Sequence, residues 1–187
     1  MRRVTGKPAL YSGSGDGGRT GLVGKQQVSK GSRRIDVIGE LDELSAALGM
    51  ARAVAGQELT RTILIAIQRD IYNMMASLAV AGKADRNDGI LDPERVTWLE
   101  EQIDVVAART KLPKGFIVPG DSPGEAALDF ARTVARRVER RVVHQVDRGR
   151  KVAPANLSYL NRVSSLLFAL ELYELETQSI KPTLAKQ

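Results

Sequence analysis

"RIDVIGELDELSAALGMARAVA", residues 34–55, decides the fold. Ile38, Leu41, Leu44, Leu48 and Ala51 recur at spacings of three and four, which puts them on one side of a helix and leaves charged residues on the other. The pattern repeats down the chain. A second helix is expected from about Leu59 to Ala81, where Ile63, Ile67, Ile71, Met74 and Leu78 form the stripe. "GKADRNDG" reads as a loop. Asp92-Pro93-Glu94 places a capping carboxylate before a proline at the first helical position, so a third helix opens there and runs to about Ala108. "KLPKGFIVPGD" interrupts the pattern with prolines and glycines. Ser122-Pro123-Gly124-Glu125 has capping-box spacing and starts a fourth helix that ends at about Asp147. After "RGRKVAP", a fifth helix carries Leu160, Val163, Leu167 and Leu170 toward about Glu176. No repeat period marks a solenoid, so the expectation is an all-α, five-helix up-and-down bundle.

The chain has 187 residues, enough for one domain with a sizeable core. The expected organisation is a single domain, 1–187, with a glycine-rich arm at 1–32, the bundle at 33–178 and a loose tail at 179–187. Net charge is +6, which suits an anionic partner without choosing among nucleotide, polynucleotide and acidic surface. There is no cysteine, which excludes disulfide scaffolds, thiolate nucleophiles and cysteine-based zinc sites. "MRRVTGKPAL" has no apolar core behind its arginines, and no stretch approaches membrane-span length. The expectation is a soluble, cytoplasmic protein with no membrane partner.

"YSGSGDGGRTGLVGK", residues 11–25, packs six glycines into a segment that reads as neither helix nor strand. Gly13-Ser14-Gly15-Asp16-Gly17-Gly18 satisfies G-x-G-x-x-G formally, but the flanks "KPALYS" and "GKQQVSKGS" are not the buried strand and helix of a dinucleotide fold. No Gly-Lys-Ser or Gly-Lys-Thr closes it as a Walker loop. What remains is backbone freedom that lets N–H groups converge on an anion, with hydroxyls from Ser12, Ser14 and Thr20 and charge from Lys25 and Lys30. A disordered polar N-terminus is the alternative on composition.

In "ARTVARRVERRVVHQ", residues 131–145, helical geometry sets Arg132, Arg136 and Glu139 within about 60° of one another, while Arg137 and Arg141 stand at about 140° and 180° from Arg132. These are two basic faces. The first suits a carboxylate orienting guanidinium groups toward phosphate; a solvated face of ion pairs is the alternative. In the fifth helix Asn161, beside Arg162, can read an adenine or ribose edge or lie on a polar face. Asp42 and Glu43 adjoin the apolar stripe of the first helix, placed to pair with a fourth-helix arginine across the bundle or across a subunit boundary.

"YSGSGDGGRTGLVG", "KGSRRIDVIGELDEL", "FIVPG", "ARTVARRVERRVV" and "YLNRVSSLLF", in this order and spacing over residues 10–172, resemble the PduO-type ATP:corrinoid adenosyltransferases. The resemblance implies a homotrimer that binds ATP at subunit interfaces between the arm of one chain and helices of the next. It implies transfer of the 5′-deoxyadenosyl group of ATP to the cobalt of a reduced corrinoid such as cobalamin, with release of triphosphate and help from Mg2+. By position it assigns Ser12, Gly13, Ser14, Gly15, Thr20, Gly21 and Lys30, with Arg136, Arg137, Glu139, Arg140 and Asn161, to ATP. Asp42 would pair with Arg132 across the interface on the corrinoid side, and Phe116 would stand near the corrin ring and keep a lower ligand off cobalt. Arg132, Arg136 and Asp42 would bear on catalysis. No protein metal ligand is assigned. Because Co(I) itself is the nucleophile, no side chain need take a proton, and His144 reads as a helix-surface residue.

Three positions depart from the family's pattern: Gly13 where many members have lysine, Asp129 where histidine is common, and Ser165 where aspartate is expected. A catalytically degenerate ATP or corrinoid carrier is therefore an alternative. A basic helical module that binds nucleic acid through Arg137, Arg141, Arg148 and Arg150 is another, although aromatics make up only 4% of the chain. A corrinoid reductase and a B12-dependent acceptor enzyme are the further partners implied.

Overall fold

The computed structural model describes residues 10–11, 13–24, 26–80, 91–149 and 152–186. Ser12, Lys25, Arg150 and the expected loop "GKADRNDG" lie outside the described residues. Five helices follow a short hairpin: β1 (Arg19–Gly21), β2 (Gln27–Ser29), α1 (Arg33–Val54), α2 (Glu58–Leu78), α3 (Pro93–Ala107), α4 (Pro123–Asp147) and α5 (Pro154–Thr177).

The helix starts follow from their caps. Asp92 Oδ1 accepts from the Glu94 N–H at 3.0 Å, with Pro93 behind it. Ser122 Oγ accepts from the Glu125 N–H, and Glu125 Oε2 in turn accepts from the N–H groups of Gly120, Asp121 and Ser122. Such a reciprocal cap contributes about 1 kcal/mol. α2 lacks a cap of its own. Glu174 of α5, fully buried, supplies the acceptor instead, taking hydrogen bonds from the N–H groups of Gly56 and Gln57.

Contacts between helices give their directions. Arg137 and Arg141 of α4 meet Glu43 and Glu40 of α1 in descending order, so those helices are antiparallel. Arg132 meets Glu171 while Glu139 meets Asn161, so α4 and α5 are antiparallel. Gln68 donates to the Ser45 carbonyl and Arg61 to that of Ala55, which sets α1 against α2 in the same sense. Leu91 and Glu100 meet Asn156 and Arg162 in ascending order, so α3 and α5 run together. The outcome is the expected up-and-down bundle. α4 packs on both α1 and α5, α2 on α1, and α3 on α5.

The core is the union of the stripes: Leu41, Leu44, Leu48, Ile63, Ile67, Ile71, Leu99, Leu128, Leu160 and Leu167 are all buried. In α1 the stripe begins at Val37, which is buried, with Ile38 only partly so.

Two expectations are corrected. The arm has regular structure, because β1 and β2 pair antiparallel with Thr20 opposite Val28. Two β-branched side chains facing each other favour this pairing. Three residues per strand are too few for alternation to show in the sequence. The tail is held rather than loose: Val118 N–H donates to the Thr183 carbonyl, Ala185 N–H to the Phe116 carbonyl, and Asp121 accepts from both the N–H and the hydroxyl of Thr183.

Candidate functional site

The arm is built from turns that lead into the hairpin. Asp16 N–H donates to the Gly13 carbonyl and Gly18 N–H to that of Gly15, two successive turns. Gly18 takes φ +74°, in the left-handed region where glycine is favoured. Gly15 lies against Lys30: a Cβ there would come within 3.0 Å of Nζ. Lys30 N–H donates to the Gly18 carbonyl at 2.9 Å, which fixes the second strand across the turns. Gly13, Ser14, Gly15 and Lys30 are thus gathered at the base of the hairpin, while Thr20 and Gly21 lie in β1 itself. Leu22 is buried, and Val23 N–H donates to the Ala79 carbonyl, so the hairpin rests on the C-terminal end of α2. Arg34 also reaches the Val80 carbonyl there.

On α4 the basic side chains divide as helical geometry requires. Arg136 and Arg140 are exposed, and among the described residues neither pairs with a carboxylate. Arg137 donates from Nε to Glu40 Oε2 at 3.0 Å and contacts Glu43 with its other arm; the two carboxylates raise its pKa. Arg141 joins Glu40 at 3.3 Å. The α1–α4 pairing expected of Asp42 and Glu43 is therefore made by Glu40 and Glu43. Asp42 is exposed, and within one chain it does not meet Arg132.

Arg132 instead donates to Asp129 Oδ1 from Nε at 2.9 Å and from Nη2 at 2.5 Å. Glu139 does not orient Arg136; it accepts from Asn161 Nδ2 at 2.9 Å, and Arg162 donates to Asn161 Oδ1 at 2.8 Å while pairing with Glu100. Glu139 and Asn161 are thus one unit across α4 and α5, with the amide orientation set by Arg162.

Phe116 is 90% exposed in the loop before α4, with its carbonyl pinned by the tail. That loop and the hairpin stand at opposite ends of the bundle, since α4 begins beside the C-terminus of α1 whereas the C-terminus of α2 lies beside the start of α1. The 25 residues of α4 span about 37 Å. One chain does not bring the arm to Phe116.

A family model described as cobalamin adenosyltransferase matches residues 10–174. The chain belongs to this family. It is 39% identical over 165 residues to the corrinoid adenosyltransferase of Bacillus subtilis, covering 86% of this chain and 83% of that one. It is 38% identical over 163 residues to the corrinoid adenosyltransferase PduO of Salmonella typhimurium, covering 87% of this chain. The chain spans about half of that relative's length, 48%. Among solved structures, a variant PduO-type ATP:corrinoid adenosyltransferase from Lactobacillus reuteri, complexed with cobalamin and ATP, superposes with a TM-score of 0.82 at 29% identity, covering 96% of this chain and 100% of that chain.

Several residues of this cobalamin adenosyltransferase family member escape sequence reasoning. Tyr159 is fully buried and donates its hydroxyl to Asp70 Oδ2 at 2.6 Å, while Arg95 grips the same carboxylate and lies 4.2 Å over the Trp98 ring. This network joins α2, α3 and α5 and pushes the Tyr159 pKa up through burial and then through Asp70. Buried Glu171 and Glu174 on α5 are also unforeseen, although "LELYELE", residues 170–176, places three acids, Glu171, Glu174 and Glu176, on an otherwise apolar stretch. Among the described residues no helix is long and apolar enough to cross a membrane.

Proposed function

We propose that this chain is an ATP:cob(I)alamin adenosyltransferase, transferring the 5′-deoxyadenosyl group of ATP to the cobalt of a reduced corrinoid with release of triphosphate. The observation that carries the reading is the pair of exposed, uncommitted guanidinium groups of Arg136 and Arg140 flanking the Glu139–Asn161 unit. Membership of the family and likeness to a structure complexed with cobalamin and ATP support it.

Cobalt supplies the electron pair, the C5′–oxygen bond breaks as the cobalt–carbon bond forms, and the negative charge moves onto triphosphate. The protein's part is to hold ATP bent toward the corrinoid and to neutralise that charge. Gly13, Ser14 and Gly15 wrap the phosphates, with Ser12 beside them in the sequence, Thr20 and Gly21 forming the base and Lys30 supplying a cation. Arg136 and Arg140 approach from α4 of a second copy, and Asn161 and Glu139 hold the nucleoside. Arg137 reaches phosphate only by leaving Glu40 and Glu43, so it serves the site chiefly by fixing α4 on α1. Arg132, Asp42 of a neighbouring copy and Phe116 form the corrinoid side.

The assembly is a homotrimer in the cytoplasm, fed by a corrinoid reductase and drained by a B12-dependent enzyme. Among the described residues no three acidic or histidine groups gather to hold a metal ion. An Mg2+ carried by the triphosphate enters as part of the substrate.

The test is the absorbance change on mixing the protein, Mg-ATP and chemically reduced cobalamin. Formation of the alkylated corrinoid with stoichiometric triphosphate is expected. ATP binding in calorimetry at about −8 kcal/mol without turnover would instead make the chain a carrier.

A further inference from the structure

Arg132 lies along its own helix, both of its nearer nitrogens on Asp129 Oδ1. Behind it on α5 stands Glu171, 1% exposed, whose two carboxyl oxygens accept no hydrogen bond among the described residues. The nearer of them, Oε2, is 3.9 Å from Arg132 Nε. Among the described residues the cation within reach of this buried carboxyl when it ionises is Arg132, and Arg132 already serves Asp129.

We propose that Glu171 is a positioning residue for Arg132: a buried carboxyl set behind the guanidinium that decides whether it stays with Asp129 or is drawn inward against α5. The proposal rests on the reading above that Arg132 serves the corrinoid side of the site.

The groups facing Glu171 come from α4. Burial, then Asp129, then Glu125 push its pKa up, Arg132 opposes them, and the result is about 8. Glu125 is itself turned to the N–H groups of Gly120, Asp121 and Ser122. The neighbouring acid on α5, Glu174, points to Gly56 and Gln57. On α3, which also packs against α5, Glu100 is engaged by Arg162, and in the loop beyond α3 Lys111 is engaged by Glu176. Below the midpoint Glu171 is neutral and Arg132 answers to Asp129 alone. Above it a second carboxylate competes for the guanidinium from within the bundle, and the pose on Asp129 is lost. A free carboxyl at this depth is thus a proton-controlled anchor for a side chain that the reaction needs in one orientation.

The experiment has two arms on the full-length chain. In the first, the Arg132 Nε–H resonance, assigned by loss in Arg132→Lys, is followed by NMR from about pH 7 to about pH 9. It is expected to titrate in the wild type and to stay fixed in Glu171→Gln, whose amide mimics the neutral acid. In Asp129→Asn the midpoint is expected lower, because the strongest repulsion on Glu171 is gone. In the second arm, adenosyl transfer is measured over the same range; an alkaline fall in kcat, with KM for ATP steady, is expected in the wild type and not in Glu171→Gln. A resonance that does not titrate, or one that titrates alike in wild type and Glu171→Gln, overturns the proposal. Absence of transfer at every pH with the resonance still titrating overturns the functional reading and leaves the role of Glu171 supported.

Discussion

Arg137 of α4 and Glu40 of α1 are 3.0 Å apart, and Arg141, one turn further along, reaches the same carboxylate at 3.3 Å. Glu40 is therefore the fixed point on which two arginines of one face converge. Both arginines are more than a third exposed, so solvent screens the pairs heavily. Arg137→Ala is expected to lower stability by less than about 1 kcal/mol, read as a small change in the urea midpoint.

Arg136, on the other face, has no carboxylate to lose among the described residues. Arg136→Ala should leave the melting temperature in place and reduce kcat by about 10²–10³, the scale of one lost donor to developing negative charge. Arg141→Ala should retain transfer. Equal losses in the two variants would contradict the division of α4 into two functional faces.

The Tyr159 hydroxyl closes the Asp70–Arg95 network inside the bundle. Tyr159→Phe leaves Arg95 as the side chain that donates to this nearly buried carboxylate among the described residues, at an expected cost of about 1–3 kcal/mol. For a chain of this size that is about 2–4 °C of melting temperature per kcal/mol. Calorimetric melting tests it, with transfer per folded molecule staying constant.

Glu171 also links stability to pH. Its folded pKa of about 8 lies above the ordinary carboxyl value of 4.5, so between those values the folded state holds a proton that the unfolded state has released. Stability from this group is full below the unfolded value and falls as pH rises toward about 8, with a slope of at most about 1.4 kcal/mol per pH unit. Chemical denaturation at a series of pH values should show this decline in the wild type and a flatter curve in Glu171→Gln.

Asp121 behaves in the opposite sense. The N–H and hydroxyl of Thr183 hold its pKa below the usual carboxylate value. Acid that protonates Asp121 should release the tail, and Asp121→Ala should do so at neutral pH. Faster amide exchange at Val118 and Ala185, whose N–H groups bridge the loop and the tail, is the expected signature.

Much of this was legible in the residues. The helices of the bundle announce themselves because their stripes run for four to six turns and two of their caps, Asp92 and Ser122, have side chains suited to capping. The hairpin of the arm is illegible because three-residue strands have no measurable period. The tail pairing depends on backbone groups meeting across some sixty residues of chain, which side-chain identity does not encode. At the site, angular geometry separates Arg136 from Arg137 correctly, but the choice of Glu40 over Asp42 depends on how α1 is rotated about its axis. Neither Glu171 nor Tyr159 signals its partner in sequence, since each finds it only through the packing of a distant helix.

The hairpin and the Phe116 loop occupy opposite poles of a single bundle. On the proposed composite site, damage to these two features should not be equivalent to damage at one place. A subunit impaired only in Lys30 and a subunit impaired only in Arg136, each inert alone, should regain partial turnover when co-assembled, because some junctions would then unite an undamaged leader with an undamaged helix. Dilution that separates subunits should silence even a flawless chain.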